Sequence, residues 1–325
     1  MSSFDCFQTG PDDQGRRLDR IVRRLYPEMP LSELYRMFRT GSIRLSGRKA
    51  KGADLIEPGD DIRIRWPSGP DSLTPGIDNE MVPNPVASSK NFKYFESLIL
   101  IKTPDLILLN KPKGLLAHGP TGLDELTTEY FSGRLQASLS FRPAPLHRLD
   151  RNTSGAIAIS ASIIGARAFS EALRAGRIGK EYLALLDGRL DHEVVMQDRL
   201  HRNEQKKTST VTNDREAPIA ETSLIPLLAS TDHTLVAIKI STGLTHQIRV
   251  QCAAQGFPLS GDSKYGGKPL AGGYLLHCCQ LELPEDIGAE SPGTVKAPLP
   301  LAFRTVLKEI FDPVSLDSEA FRRYP

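Results

Sequence analysis

Cysteine, aromatic residues and long apolar runs are all scarce in this sequence. Its 325 residues include four cysteines and no Cys-x-x-Cys pair, which argues against a disulfide framework and a zinc ribbon. The longest apolar runs span only a few residues, far short of the ~18 that a membrane helix needs. The N-terminal residues lack a basic segment followed by an apolar one, so we expect no cleaved secretory signal. The few cysteines are expected to be buried structural thiols, which favours a reducing cytoplasm.

Motifs for nucleotide and metal binding are missing as well. The sequence contains neither Gly-x-Gly-x-x-Gly nor Gly-x-x-x-x-Gly-Lys-Ser/Thr. His277, Cys278 and Cys279 are neighbours in YLLHCCQLEL, which has the pattern of a strand. Because adjacent residues seldom point at one ion, we interpret this trio as buried structural side chains. We predict neither a metal nor a cofactor.

What is present is a globular composition with an uneven charge distribution. Hydrophobic residues make up 39% of the chain and charged residues 25%, and the length corresponds to about two domains. The net charge is only +2, yet residues 15–66 carry 13 Lys and Arg against 7 Asp and Glu. The arginine excess favours a nucleic-acid partner, because the guanidinium group matches phosphate geometry. A solvated helix face is the alternative interpretation.

Residues 15–66 show helix and strand signals in a definite order. Apolar residues recur at helical spacing in LDRIVRRL, SELYRMFRTG predicts a helix ending at Gly41, and IRLSGRKA and DLIEPGDDIRIRW predict short strands. This order, together with the stretch LYRMFRTGSIRLSGR, resembles the S4 RNA-binding domain. The resemblance implies an RNA-facing surface on the second helix and the strand after it, which carry Arg36, Arg39, Arg44, Arg48 and Lys49.

The remaining sequence divides into a large domain and three less regular segments. We predict a flexible tail over residues 1–14, a Pro/Ser/Gly linker over 67–91 and a C-terminal tail over 311–325. Within 92–310, short apolar runs such as DLILLN, GAIAIS and TLVAIKI alternate with helical stretches. This mixture predicts an α+β domain around a largely antiparallel mixed sheet.

The strongest chemical signal is the stretch HRLDRNTSG, residues 147–155. Asp150 lies between Arg148 and Arg151 in the sequence, and neighbouring cations favour the charged form of a carboxylate. For an arbitrary aspartate, a polar turn that begins a strand would be the better interpretation. The residue types alone therefore do not decide between a turn and an active site.

The string HRLDRNTSG closely resembles the catalytic motif of the RluA-type pseudouridine synthases. Three further segments resemble that family in the same order: LNKPKGLLAHG, GKEYLALLDG and STGLTHQIRVQCAAQGFPLSGDSKYGG. The resemblance implies the pseudouridine synthase fold and the isomerisation of a uridine in RNA. In that reaction the C1′–N1 bond breaks and the uracil reattaches through C5. The nucleotide must be flipped out, because its sugar is shielded inside a paired helix.

The resemblance also implies a role for individual residues. Asp150 is the carboxylate that acts at the sugar, either as nucleophile at C1′ or as base at C2′. Tyr182 holds the detached uracil by stacking, and Arg249 pairs with Asp150. Arg148 displaces the target base, with a phosphate contact as the alternative. A further group is expected to support the pocket: His147, Thr153, Ser154, Gly155, Asp262, Lys264 and Tyr265.

Two positions depart from the family pattern. Leu244 stands where the family usually has Arg, and Gln251 stands where it usually has His. Both are close to Arg249 in the sequence, so we expect them to affect substrate choice or rate.

The arrangement of domains resembles synthases that act on large-subunit ribosomal RNA, and we expect the protein to be a monomer. Three alternatives remain: a transfer-RNA target, a non-catalytic RNA-binding assembly factor and a glycosidase. The glycosidase comes last, because it needs a second catalytic acid at a defined position.

Overall fold

A computed structural model of the chain describes residues 4–66, 90–132, 138, 139 and 141–324. The predicted linker over 67–91 lies almost entirely outside these residues. Contacts between Cα atoms divide the chain into two compact units. The first unit comprises Met1–Lys93 and Thr127–Pro143, and the second comprises Tyr94–Leu126 and Ala144–Pro325. The large domain predicted from the sequence as one continuous stretch is therefore interrupted by a segment that belongs to the first unit.

The first unit is a four-stranded antiparallel sheet with two helices. The strands follow the order β1-β4-β2-β3. Its elements are β1 (Phe4–Gln8), a 3-10 turn (Pro11–Asp13), α1 (Leu18–Leu25), α2 (Leu31–Thr40), β2 (Ile43–Leu45), β3 (Arg48–Lys49) and β4 (Asp61–Arg65).

Apolar periodicity explains the two helices of this unit. The apolar positions of α1 lie on one face and are buried together with Leu34 and Met37 of α2. Gly41 ends α2 with φ 74°, a left-handed conformation that favours glycine. The strand residues Ile43 and Ile64 close the same core.

The prediction of a flexible N-terminal tail is wrong for residues 4–13. β1 pairs along its whole length with β4, and Phe7 is buried in the core of this unit. The carboxylate of Asp5 accepts hydrogen bonds from the Tyr26 hydroxyl and, at 2.7 Å, from the Trp66 indole. Because the backbone of an edge strand needs partners, the N-terminal segment completes the sheet. Five residues with one buried side chain give too short a pattern to recognise in the sequence.

The second unit is built around a ten-stranded sheet. Nine strands follow the order β10-β9-β11-β12-β8-β13-β7-β6-β5, and β14 pairs with β13. Its strands are β5 (Ile99–Lys102), β6 (Leu106–Lys111), β7 (Ser154–Ser160), β8 (Gly179–Asp187), β9 (Val194–Asn203), β10 (Thr208–Thr212), β11 (Ile219–Ala229), β12 (His233–Ile240), β13 (Leu276–Glu282) and β14 (Thr294–Lys296). Among these pairs only β13 with β7 is parallel, so the predicted α+β class with a largely antiparallel mixed sheet is confirmed.

Seven helices complete the described part of the chain. They are α3 (Lys90–Ser97), α4 (Leu123–Phe131), α5 (Ile163–Arg174), α6 (Gln247–Ala254), α7 (Leu301–Ile310), α8 (Pro313–Leu316) and α9 (Glu319–Arg322). None of the helices in the described residues is long and apolar enough to cross a membrane.

The C-terminal residues also form more structure than predicted. Phe311 and Tyr324 are buried in one cluster with Leu183 of β8 and Leu307 of α7. The hydroxyl of Tyr324 donates to the Glu181 carboxylate, so the chain end is attached to β8. The prediction of a tail is therefore wrong for residues 311–324, where the alternative of short helical structure holds, because burial of two aromatic rings outweighs the entropy of a loose end.

Close approach of two central strands requires glycine at position 155. Gly155 has φ 114°, and a Cβ atom there would lie 2.2 Å from the carbonyl oxygen of Cys278. The parallel register pairs Gly155 with Cys278, and the neighbouring strand β8 pairs Tyr182 with the same residue. The loop that ends in β7 is thereby held beside the middle of β8.

Candidate active site

Asp150 is presented by a tight turn just before β7. The Thr153 N–H donates to the Asp150 carbonyl at 3.0 Å, and strand β7 begins one residue later. The side chain of Asp150 is 17% exposed, and its Oδ2 accepts a hydrogen bond from Arg249 Nη1 at 3.2 Å. The predicted pairing of Asp150 with an arginine 99 positions away is thus present.

Arg249 is held from three sides. Its Nε and Nη2 donate to the two oxygens of Asp262 at 2.7 and 2.8 Å, and Asp262 is 2% exposed. The guanidinium carbon lies 5.0 Å from the ring centre of Tyr265 and 4.5 Å from that of Tyr274. Burial alone would lower the pKa of Arg249, but its hydrogen bonds and the nearby negative charges raise it above the ordinary value. The group is a permanent cation whose Nη1 remains to donate to Asp150.

Tyr182 lies on β8 between Ile238 of β12 and Cys278 of β13. It is 5% exposed, and burial raises the pKa of its hydroxyl well above the ordinary value. Tyr182 and Asp150 line one small cavity, called the inner cavity below. The structure therefore brings together the three residues predicted to carry the chemistry.

A larger cleft opens outside this cavity, and it is called the outer cleft below. Its volume is about 680 Å³, within the roughly 300–1,000 Å³ of small-molecule sites. Its two carboxylates, Asp150 and Asp262, both pair with Arg249. Besides Arg249, five cationic side chains line the outer cleft and outnumber these two carboxylates: Arg148, Arg151, Arg202, Lys207 and Lys264. The outer cleft thus carries positive charge that suits a polyanion.

Three of these cations were not among the site residues predicted from the sequence: Arg151, which is next to Asp150 in the sequence, and Arg202 and Lys207. Arg202 is the next-to-last residue of β9 and Lys207 precedes β10, so both belong to the hairpin around NEQKKTS. The Nη1 atom of Arg202 is buried and has no hydrogen-bond partner in the described residues. The adjacent lysines Lys206 and Lys207 were the available signal. It could not be used without knowing that the hairpin borders Asp150.

His246 is a further site residue that the sequence analysis did not single out. It precedes α6 with φ 58° and lines both the inner cavity and the outer cleft. Its Nε2 lies 3.8 Å from Asp150 Oδ2, and its Nδ1 lies 2.7 Å from the Tyr265 hydroxyl. The string THQIR contained this residue, but nothing in the sequence placed its ring beside the carboxylate.

The predicted supporting residues lie around the turn that carries Asp150. His147 Nε2 accepts a hydrogen bond from the Ala158 N–H at 3.0 Å, and the ring stacks on Phe169. Burial lowers the pKa of His147 to about 3, so its ring is neutral and acts as an acceptor. Thr153 Oγ1 lies 3.5 Å from the Tyr274 hydroxyl.

Ser154 extends this support into the sheet. Its hydroxyl lies 2.8 Å from Nδ1 of the fully buried His277, whose Nε2 lies 3.0 Å from the Ala297 carbonyl. Both nitrogens of His277 therefore have protein partners. In the part of the chain that the structure describes, no group of three or more His, Cys, Asp or Glu side chains could hold a metal ion.

The two departures from the family pattern occupy different places. Leu244 lines the inner cavity and packs in a small apolar cluster with Leu200 and Val250. Gln251 points away from both cavities: its Nε2 donates to Asp198 Oδ2 at 2.7 Å, and its Oε1 accepts from Thr222. Gln251 is fully buried in this structural network and lines neither cavity. Its expected effect on substrate choice or rate therefore stays a prediction.

The five predicted RNA-contacting residues of the first unit are all exposed. Arg36 pairs with Glu33 at 2.5 Å, and Arg48 pairs with Asp54 at 3.4 Å. Lys49 Nζ donates to the Arg39 carbonyl at 2.5 Å. In the described residues the guanidinium groups of Arg39 and Arg44 have no hydrogen bond or ion pair, so they are open to a ligand.

Comparison with known proteins identifies the class to which this site belongs. The profile of the family described as RNA pseudouridylate synthase matches residues 105–254. The Haemophilus influenzae protein named ribosomal large subunit pseudouridine synthase C is 31% identical over 82% of this chain and 80% of its own length. A Buchnera aphidicola protein of the same name is 32% identical over 78% of each chain.

The chain belongs to the RNA pseudouridine synthase family. The predicted enzyme class, an isomerase that converts uridine in RNA to pseudouridine, is thereby confirmed. Among solved structures, human RNA pseudouridylate synthase domain containing 4 shares the fold, with a TM-score of 0.56 and 22% identity over 67% of this chain and 94% of that one.

Proposed function

We propose that this protein isomerises one or more uridines of large-subunit ribosomal RNA to pseudouridine. The named relatives, which cover about four-fifths of each chain, support this target. The observation that carries the assignment to particular residues is the chain of contacts from Asp262 through Arg249 to Asp150, which ends in the cavity lined by Tyr182.

Asp150 is the group we assign to the sugar. Breaking the C1′–N1 bond requires an oxygen that is ionised and fixed in direction. Arg249 fixes the direction of the Asp150 carboxylate through a charged hydrogen bond, and it is itself held by Asp262. Attack at C1′ and removal of the C2′ proton use the same carboxylate, so both remain consistent with this role.

Tyr182 is the group we assign to the detached uracil. A base without a covalent link to the sugar must be held while it turns, and stacking on an aromatic ring contributes roughly 1–3 kcal/mol. We expect Tyr182→Leu to lose more activity than Tyr182→Phe, which keeps the aromatic face. Arg148 is exposed at the entrance of the inner cavity, where it can displace the base or bind its phosphate.

We further propose that residues 15–66 form an S4-type RNA-binding domain. The helix–helix–strand order and the open guanidinium groups of Arg39 and Arg44 support this role. Binding by such a surface depends on release of counterions from phosphates, so its affinity should fall steeply with salt.

The decisive experiment is pseudouridine mapping of total RNA from cells that lack the gene. The RNA is incubated with wild type, with Asp150→Asn or with the control Asp191→Asn, which alters an exposed aspartate paired with Arg189. We expect new pseudouridines in large-subunit ribosomal RNA with wild type and control, and none with Asp150→Asn. Modification of transfer RNA instead would contradict the target. Equal RNA binding by all three proteins without any modification would make the protein an assembly factor.

A further inference from the structure

The ring of His246 is turned into the active site by an uncommon backbone conformation. A non-glycine residue with positive φ is energetically unfavourable unless its surroundings hold it there. Although His246 occupies the position that caps α6, its side chain makes no capping hydrogen bond. The ring instead reaches Tyr265 with one nitrogen and faces Asp150 with the other.

The contact with Tyr265 lets the neutral ring change its tautomer. The Tyr265 oxygen accepts a hydrogen bond from the Ser209 N–H at 2.9 Å, which leaves its own proton and a second lone pair for Nδ1. The hydroxyl can therefore donate to Nδ1, or accept from a protonated Nδ1. In the second arrangement Nε2 of His246 is an unprotonated base directed at the cavity.

The surroundings keep the imidazole uncharged in the resting enzyme. Burial lowers the pKa of His246 to about 4, against the opposing effect of the Asp150 charge. The cations that face the ring, Arg249, Lys264 and Arg202, act in the same direction as burial. The separation of 3.8 Å between Nε2 and Asp150 Oδ2 is longer than a hydrogen bond, so an atom of the substrate can bind both.

Few groups of the inner cavity can accept a proton. In the described residues, five side chains with an ionisable group line it: Arg148, Asp150, Tyr182, His246 and Arg249. Arginine has no acceptor, and Tyr182 keeps its proton because burial raises its pKa. Only Asp150 and His246 are left, and Asp150 already acts at the sugar in the proposed function.

We propose that His246 is the base that removes the proton from C5 of the uracil. The electron pair of the broken C1′–N1 bond stays on N1 of the released uracil and forms an N1–C6 double bond, while the C5–C6 π electrons bond C5 to C1′ and make C5 tetrahedral. In the same step C1′ releases Asp150 if Asp150 had attacked it, or C2′ regains its proton if Asp150 had removed it. Nε2 takes the C5 proton, the C5–H electrons form the C5–C6 double bond, and the electrons of the N1–C6 double bond move to N1. The imidazolium, stabilised by Asp150, returns the proton to N1, so no net proton is gained or lost.

This assignment rests on the proposed function and can be tested separately from it. The substrate is the RNA segment that the wild type modifies in the mapping experiment, transcribed with either uridine or 5-fluorouridine. With fluorine on C5 the glycosidic bond can break and the C5–C1′ bond can form, but there is no proton to remove. Turnover of the fluorinated RNA therefore reports all steps before deprotonation.

We expect His246→Asn to slow single-turnover pseudouridine formation by roughly 10²–10⁴-fold, the usual contribution of a general base. Conversion of 5-fluorouridine to its C5-linked product should keep the wild-type rate, which also shows that the variant is folded. Asparagine is chosen because it tolerates positive φ. Deuterium at C5 should slow the variant on uridine RNA, and His192→Asn, at an exposed histidine, should match the wild type.

Tyr265→Phe provides a second variant, at the residue whose hydroxyl contacts Nδ1 of His246. Loss of its hydroxyl removes the partner of Nδ1, so we expect a smaller loss on uridine RNA and none on the fluorinated RNA. An equal loss by His246→Asn on both RNAs would overturn the proposal, because His246 would then act before C5 deprotonation. Wild-type rates on both RNAs would overturn it as well and leave Asp150 as the base. Loss of both reactions by Asp150→Asn would show that the earlier steps depend on the proposed site.

Discussion

Arg249 and Asp262 form a bidentate ion pair whose two hydrogen bonds, 2.7 and 2.8 Å, are shorter than the 3.2 Å bond from Arg249 to Asp150. Both partners of this pair are nearly inaccessible to water. The position of the guanidinium group is therefore determined by Asp262, and Asp150 is oriented by a group that is already fixed. The active site depends on a carboxylate that does not itself face the inner cavity.

Replacing Asp262 should affect stability and catalysis together. Asp262→Asn leaves the buried Arg249 with only its longer bond to Asp150, and breaking a buried ion pair costs about 3–5 kcal/mol. We expect the free energy of unfolding in urea to fall by about that amount, together with the rate of pseudouridine formation. Asp191→Asn, in an exposed pair, should change stability by less than about 1 kcal/mol. An Asp262→Asn protein as stable as the wild type would contradict this account.

Gly155→Ala should be far more damaging than substitution of another glycine that has a positive φ but free space around it. Its Cβ would meet the Cys278 carbonyl at 2.2 Å, so the parallel pairing of β7 with β13 must open. We expect a loss above about 4 kcal/mol, or failure to fold. Gly176→Ala is the matched control, since Gly176 has φ 67° and nothing within 4 Å. The backbone strain of an alanine at position 176 should cost about 1–2 kcal/mol. Equal losses of melting temperature for Gly155→Ala and Gly176→Ala would disprove the steric argument.

His277 should make the protein sensitive to acid. Burial lowers the pKa of His277 to about 4, from about 6.5 in an unfolded chain. Its contribution to stability is complete above pH 6.5 and is lost as the pH falls towards 4, because the unfolded state then binds the proton more tightly. The difference between the folded and unfolded pKa values of His277 corresponds to roughly 3 kcal/mol of unfolding free energy at most.

The measurement is urea unfolding at pH 7.5 and pH 4.5. His277→Asn should be less stable than the wild type at pH 7.5, and the gap between the two proteins should narrow at pH 4.5. His192→Asn, at an exposed position, should follow the wild-type curve. A gap that stays constant with pH would show that His277 acts only through packing and hydrogen bonds.

Arg44 should contribute to RNA affinity through a phosphate contact. If its open guanidinium binds one phosphate, Arg44→Ala should weaken binding to any RNA that engages this surface and reduce the salt dependence of log K by roughly 0.7–0.9. Arg177→Ala is the control, because Arg177 is paired with Asp286 in the second unit. Titrations at several salt concentrations test this prediction, and parallel salt slopes for wild type and Arg44→Ala would contradict it.

The amino-acid sequence by itself determined the fold class, the enzyme class and the identity of the motif residues. Local patterns suffice for the fold class, since the apolar spacing of α1 and the strand runs are visible within a few residues. The enzyme class and the motif residues followed from the resemblance of HRLDRNTSG and three further segments to the RluA-type synthases. The helical spacing of Arg249 and Gln251 is also readable from the sequence. Residues two apart on a helix point about 200° away from each other, so Gln251 had to leave the face that Arg249 presents to Asp150.

Tertiary structure alone decided which distant groups meet. Asp150, Tyr182 and Arg249 come from a turn, a strand and a helix, and no periodicity relates their positions. The pairing of β1 with β4, the docking of Tyr324 on β8 and the approach of His246 to Asp150 are equally non-local. Each depends on burial and hydrogen bonds between segments far apart in the chain, and those contacts exist only once the core is formed.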